Sequence, residues 1–504
     1  MSISRNRRGI TTSIVIFLSS ILGFGALPLF VFTQSPASAT TTTLTPPVQQ
    51  TPVVVNSTTI DLSWYPSASP TVTGYNIYEG TTQSGENLNK PINSTPITST
   101  NYVATVNPSG NYYFVIEAID ASSNTSSPSN EVEATPTNNP ILYVSTTGSD
   151  SNNTTCSQTQ PCLTIANAIS VANNGDTVDV AAGTYDTSSS GTISPSKDLT
   201  IQGAGASSTF VGGTSAKSLS GSVFAVNAGV TATISGMTIQ YGSGGGINNS
   251  GTLTATNDTI TNNQATKGNG GGINNLGTLT ATNDTISNNQ ALNGSGGGIN
   301  NSGTLTATND TISNNSATFG GGIYNNSGTL TATNDTISNN QALNGGGGGI
   351  DNGGTLAATN DTISNNQALN GGGGGIANYG NLTATNDTIS HNSASGGGGI
   401  YNFTYVALSL TLAATIIADQ KSGSNCSGNV TTDAGYNLTD DSSCGLTSTT
   451  SIVESTQLSL PSLANNGGPT QTIAITPTSL TLPTGTPSPV NYIPASTGLC
   501  GPAA

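Results

Sequence analysis

The residues able to do chemistry in this chain are few, and most of them repeat. Asp258, Asp284, Asp310, Asp335, Asp361 and Asp387 form one series, and Asn263, Asn289, Asn315, Asn340, Asn366 and Asn392 form another. Stacked carboxylates could hold calcium between successive copies, and paired carboxylates can hydrolyse neutral glycosides. A catalytic pair, however, should break the repeat, and these aspartates recur identically. The plainer expectation is that each Asn-Asp turn bonds its own backbone and faces solvent. The invariant asparagines suit an amide ladder running between copies. Asp351 does break the repeat, but without an evident partner in the sequence. The one histidine, His391, occupies a position filled elsewhere by Asn262, Asn288, Asn314, Asn339 and Asn365, and reads as a surface substitution. The glycine runs lack the lysine and the strand–loop–helix setting of a phosphate loop. Thr252, Thr254 and Thr256 recur in the next copies as a regular array of the kind an ice-binding face uses, although threonine is also simply a good exposed strand former. No catalytic, cofactor-binding or metal-binding residue is assigned on this reading, and no cofactor is expected.

Charge narrows the partners. The arginines are Arg5, Arg7 and Arg8, and beyond residue 39 five lysines face 24 acidic residues, so that stretch carries 5 − 24 = −19. Without a basic patch the chain is not expected to bind nucleic acid or an anionic membrane surface. The three arginines precede an apolar run from Ser13 to Phe32 and the triplet Ala37-Ser38-Ala39. Residues 1–39 therefore read as a secretory signal. Because the apolar run is long, an uncleaved N-terminal anchor is the alternative, and the sole expected membrane contact. Either way the rest is expected to be extracellular or on the cell surface. Cys156 with Cys162 and Cys426 with Cys444 look like local disulfides, as that compartment allows, and Cys500 is left over.

The elements that must position these residues follow from periodicity. A Gly-Gly-Ile landmark ends at Ile247, Ile273, Ile299, Ile323, Ile350, Ile376 and Ile400, at spacings of 26, 26, 24, 27, 26 and 24. A leucine column from Leu253 to Leu382 and an isoleucine column from Ile260 to Ile389 keep step. Three apolar columns per repeat predict three short faces, and alternation as in Thr252-Leu253-Thr254-Ala255-Thr256 predicts strands. No repeat can bury its own aliphatic residues, whereas stacked repeats share a core. The expectation over 141–420 is thus a three-faced parallel coil with rungs about 4.8 Å apart. A short helix over Leu163–Ala172 should plug its open end, with Asp176–Val180 as the first strand. Residues 45–138 show alternating strands suited to a seven-stranded sandwich, with Trp64 in its core.

These patterns resemble known families. Pro46-Pro47, Leu62-Ser63-Trp64, Gly74-Tyr75-Asn76-Ile77-Tyr78, Tyr112-Tyr113 and Ser127-Pro128-Ser129-Asn130 resemble a fibronectin type III domain, which implies a spacer or binding module. Tyr143-Val144-Ser145 with Cys156, Cys162 and Gly175-Asp176-Thr177 resembles the opening of the pectate-lyase-like β-helix superfamily. The repeats are similar to those of polymorphic outer-membrane proteins, with Ile260-x-x-Asn263 in place of an aromatic-x-x-Asn motif. The stretch from Asn425 to Thr470 resembles a choice-of-anchor C-terminal region, giving a disulfide-containing extension over 421–504. The superfamily implies a right-handed all-β coil and includes polysaccharide lyases and hydrolases. Its pectate lyases use an arginine near calcium-binding carboxylates, and no arginine lies beyond Arg8 here. The sequence-based expectation is therefore a bacterial, non-catalytic, secreted or cell-surface scaffold for adhesion or for polysaccharide or host-matrix contact. The rival is a carbohydrate-active enzyme, lyase or glycoside hydrolase, with an unrecognised carboxylate site.

Overall fold

The computed structural model describes residues 44–56, 58–107, 110–136, 141–215, 218–403, 409–453 and 458–474. The signal-like segment 1–39 and Cys500 lie outside the described residues. Two compact units are present, and each is described by itself.

The first unit is antiparallel. A sheet of four strands runs through Val48–Gln49, Thr59–Tyr65, Val53–Asn56 and Asn101–Thr105, and a sheet of three through Val72–Gly80, Tyr112–Asp120 and Val132–Ala134. Alternation decides which side chains turn inward: Ile60, Leu62 and Trp64 are buried while Asp61 and Tyr65 are exposed. Trp64 packs edge-on against Tyr75, ring centroids 5.4 Å apart, which agrees with a structural role for the tryptophan.

The second unit is a parallel β-solenoid of about ten turns, almost without helix. Its register is strict. Leu253, Leu279, Leu305, Leu330, Leu356 and Leu382 are direct partners from strand to strand. So are Ile260 to Ile389 on the second face and Ile247 to Ile400 on the third. Every one of these leucines and isoleucines is 0–1% exposed. They merge into one apolar core reaching from Leu142 to Cys444. The corners between faces need a left-handed residue, and asparagine supplies it: Asn257, Asn283, Asn309, Asn334, Asn360 and Asn386 all sit at φ 56–59°, a region asparagine enters at little cost.

The helix forms over Ile165–Val171, capped by the Thr164 hydroxyl accepting from Asn167 N–H, and buries Ile165, Ala168 and Ile169. It lies against strands Ile141–Val144 and Thr177–Val180, closing the end of the core as a solenoid requires. The strand ladder starts one element earlier than expected, at Ile141–Val144, which pairs with Thr177–Val180. Both expected disulfides are present, Cys156–Cys162 and Cys426–Cys444. Strands at Ser422–Ser427, Thr432–Asp433, Leu438–Thr439 and Ile452–Val453 carry the three sheets further.

Inside the coil the expected asparagine ladder is complete. Asn289 Nδ2 donates to Ile260 O at 2.8 Å and to Asn315 Oδ1 at 3.1 Å, while Asn289 N–H also donates to Asn315 Oδ1 at 2.9 Å. A second ladder joins Asn249, Asn275, Asn301, Asn325, Asn352, Asn378 and Asn402, each amide donating to the next at 2.7–2.8 Å. Replacing Asn315 by alanine strips partners from Asn289 N–H and Ile286 O at once. Each stranded buried group costs about 1–3 kcal/mol, so Asn315→Ala is expected to lower the urea midpoint clearly. Thr304→Ala, on the exposed outer face, is expected to stay within about 0.5 kcal/mol of the parent. Equal midpoints for the two variants would remove the ladder from the account of stability.

Candidate functional site

The Gly-Gly-Ile face is where the repeat loses its uniformity. Each strand there reads Ile-x-Asn, with Ile and Asn turned into the core and the middle residue turned outward. Across neighbouring rungs the middle residues are Tyr324, Asp351, Ala377 and Tyr401, in direct register. Aromatic residues gather around this stretch. Tyr379 stands 6.1 Å from Tyr401 and 5.4 Å from Phe403, measured between ring centroids. Tyr379 and Phe319 remain 38% and 42% exposed, so their rings face solvent.

Asp351 itself is only 3% exposed although it points away from the core. The glycine run that precedes it covers it. Gly347 has φ +72°, and a Cβ there would come within 2.5 Å of Asp351 N; a Cβ on Gly346 would lie 2.7 Å from Ala377 Cβ. Only glycine lets the loop lie so close to the face. Burial pushes the Asp351 carboxyl up to about 7. Burial and then the neighbouring Asp351 charge raise Tyr324, and the same causes with Tyr401 added push Tyr379 up to about 12. The partner that the sequence did not reveal for Asp351 is thus a group of tyrosines one rung to either side. Such a carboxyl can exchange a proton with a ligand held on the neighbouring rings once the glycine run above it is displaced.

The aspartate series behaves differently from expectation. The Asn-Asp turns do not face solvent: Asp258, Asp284, Asp310, Asp335, Asp361 and Asp387 are 0–2% exposed. Nor does each bond its own backbone alone. Oδ1 of each accepts from the backbone N–H of the preceding rung, as in Asp258 N–H to Asp284 at 2.8 Å and Asp284 N–H to Asp310 at 2.7 Å. The left-handed asparagine before each aspartate turns the carboxyl inward and along the axis, which is why the expected solvent-facing turn is wrong. Oδ2 accepts from Thr308, Thr333 and Thr359 N–H in three rungs, and at Asp258, Asp284 and Asp387 the equivalent approach of Thr256, Thr282 and Thr385 N–H is looser. Among the described residues no group of three or more His, Cys, Asp or Glu is placed to hold a metal ion. Desolvation, followed at Asp284, Asp335 and Asp361 by repulsion between stacked carboxylates, raises all six, to about 7 at Asp258 and Asp310 and about 8 at Asp387.

His391 takes the left-handed corner of its column at φ 56°. Its Nε2 sits 3.2 Å from Asp419 Oδ2, and Ser390 Oγ lies 3.0 Å from Nδ1. It is thus a half-buried corner residue with an acidic partner on the next rung, not the plain surface substitution expected. The threonine array stands on the outer face, as in Thr252, Thr278, Thr304, Thr329 and Thr355.

Register defines a parallel β-solenoid with three sheets running along its axis. The chain is similar to a Family 28 exopolygalacturonase of Yersinia enterocolitica, with 12% identity over 82% of this chain and 98% of that one, at a TM-score of 0.37. It is also similar to the pectate lyase Pel9A, with 17% identity over 59% of this chain and 79% of that one, again at 0.37. A β-1,2-glucanase of Parabacteroides distasonis matches at 24% identity and a TM-score of 0.17, and the chain spans only 14% of its length. No family model and no curated protein matches the chain. Likeness at these identities concerns the fold. It nonetheless corrects one sequence-based expectation: the structures that share the fold here are carbohydrate-active enzymes, so the expectation of a non-catalytic chain is withdrawn. That expectation rested on missing arginines and on a symmetric acidic series, and neither argument reaches Asp351.

The aspartate stack carries a pH prediction. A carboxyl ordinarily titrating at 3.8 binds its proton more tightly in the folded coil, so the folded state holds more protons than the unfolded one between about pH 4 and 8. Stability conferred by the stack is therefore fully present below about pH 4 and is lost as pH rises through the raised values. The melting temperature is expected to fall steadily from about pH 5 to pH 8. Asp284→Asn keeps the acceptor for Asp258 N–H and cannot ionise, so it is expected to melt higher than the parent at the alkaline end and to show a shallower slope. A parent coil that melts higher at pH 8 than at pH 5 contradicts the assignment.

Proposed function

We propose that the coil is a carbohydrate-active β-helix that takes polysaccharide on its Gly-Gly-Ile face, with Asp351 as the proton-exchanging group. One observation carries this reading: the acidic break in the repeat is a buried carboxyl flanked by Tyr324 and Tyr379, in the rungs that also expose Tyr379 and Phe319. Tyrosine and phenylalanine rings offer apolar faces on which sugar rings stack, and tyrosine adds a hydroxyl at the rim. A carboxyl titrating near 7 suits general acid work at neutral pH. Because Asp351 is nearly covered, a bound glycan must displace the glycine run before it meets the carboxyl. We further propose export by residues 1–39, a fibronectin type III-like spacer over 45–138, the β-helix over 141–420 and a disulfide-containing extension over 421–504, which together place the glycan-binding face outside the cell. The polymorphic outer-membrane-type repeats and the choice-of-anchor-type tail belong to the same proposal.

The test is turnover by the full chain on a panel of polysaccharides, followed by release of reducing ends and of unsaturated products. Reducing ends without unsaturation are expected of a hydrolase, and unsaturated ends of a lyase. Asp351→Asn is expected to lower turnover about 100-fold or more while leaving glycan retention intact. Turnover by the parent should decline as pH rises through about 7, where the acid form of Asp351 is lost. Retention of glycans with no product from the parent would reduce the role of the face to binding, and undiminished turnover in Asp351→Asn would move the chemistry elsewhere.

A further inference from the structure

The chemistry of the Asp351 face also selects among glycans. A polyuronate brings a carboxylate on every sugar and needs cationic groups to receive it. Among the described residues there is no arginine, and the lysines nearest in register to Asp351 are far along the axis. Lys267 precedes the rung of Ile273, and Lys421 precedes the strand whose Cys426 pairs with Ile400. Each is three rungs from the rung of Ile350, or about 14 Å at 4.8 Å per rung. That exceeds the Debye length of about 8 Å at physiological salt, so neither lysine supports an anion held at Asp351. Tyr324 and Tyr379 lie near enough to Asp351 to feel its charge, Tyr401 and Phe403 stand against Tyr379, and Phe319 lies against the glycine run at Gly345. Rings and hydroxyls serve neutral sugars, whereas an ionised Asp351 would repel a uronate.

We infer that the glycan taken on this face is an uncharged polysaccharide and not a polyuronate, an inference that rests on the functional reading above. The electrostatics makes the discrimination salt-dependent: neutral chains meet no net field, and anionic chains are repelled less as salt rises.

Affinity electrophoresis of the full chain in gels holding a neutral xylan, a neutral β-glucan, polygalacturonate or chitosan tests this. Retardation by a neutral probe, insensitive to salt and at least tenfold stronger than by polygalacturonate, is the expected result. Tyr379→Ala should weaken the neutral probe at least fivefold, with Tyr379→Phe retaining most of it, and circular dichroism melting confirms that both variants fold. Retardation by polygalacturonate, or by chitosan alone, as strong as by any neutral probe overturns the inference and leaves the functional reading standing. No retardation by any probe, or neutral binding untouched in Tyr379→Ala, removes the site and the inference with it.

Discussion

The structure depends on one constraint: the buried asparagine amides and aspartate Oδ1 atoms of each rung find hydrogen-bond partners on the neighbouring rungs. The leucine and isoleucine columns supply the burial, but burial alone leaves the coil free to slip in register. Slippage by one residue would turn the aliphatic set outward, and slippage by two would keep the inward and outward faces and be hidden if the core were only apolar. The two asparagine ladders and the aspartate stack make register a matter of hydrogen bonds. Asn289 must meet Asn315, Asn275 must meet Asn301, and Asp258 N–H must meet Asp284. A displaced rung would bury several unpaired groups at once, each expensive in a dry interior.

Much of this is legible in the sequence because a repeat writes its geometry several times over. The three apolar columns, the helix over Ile165–Val171 and the Asn263 series all follow from spacing and residue type. Three features do not. The Asn-Asp turn has the same composition whether its carboxyl faces water or the neighbouring rung, and only the left-handed φ at Asn257 and its counterparts decides. The Asn249 ladder hides in Ile-Asn-Asn, where two adjacent asparagines look alike although one points in and the other out. Asp351 stands alone along the chain because its tyrosines lie about one repeat away in each direction, at Tyr324 and Tyr379. Writing the repeats beneath one another and reading down the Ile-x-Asn column brings Tyr324, Asp351, Ala377 and Tyr401 together. The same vertical reading supplies the neighbours of Asp351 that the linear sequence withheld when the chain was expected to be non-catalytic.

The uniform rungs and the irregular ones divide the labour. Uniform rungs provide a rigid rail, since each strand is held by both neighbours over its whole length. The irregular rungs from Ile323 to Ile400 replace outward asparagines with Tyr, Asp and Ala, and overlay them with glycine backbone. The aromatic and acidic side chains there are carried by short strands between fixed corners, so their mutual positions are set by the stacking distance and not by loop conformation.

The in-register ladders also bear on how such a chain changes over generations. Asn249 asks only that an asparagine stand one storey below it, and Asn275 and Asn301 answer equally well. Excising or doubling one complete repeat leaves every seam with the same mating surfaces, while an insertion of a few residues within a strand breaks all three sheets together. Length in this protein is therefore quantised: gene duplication and unequal crossing-over can lengthen or shorten the column by whole storeys, carrying the tyrosine-rich storeys nearer to or farther from the capped end without redesigning either.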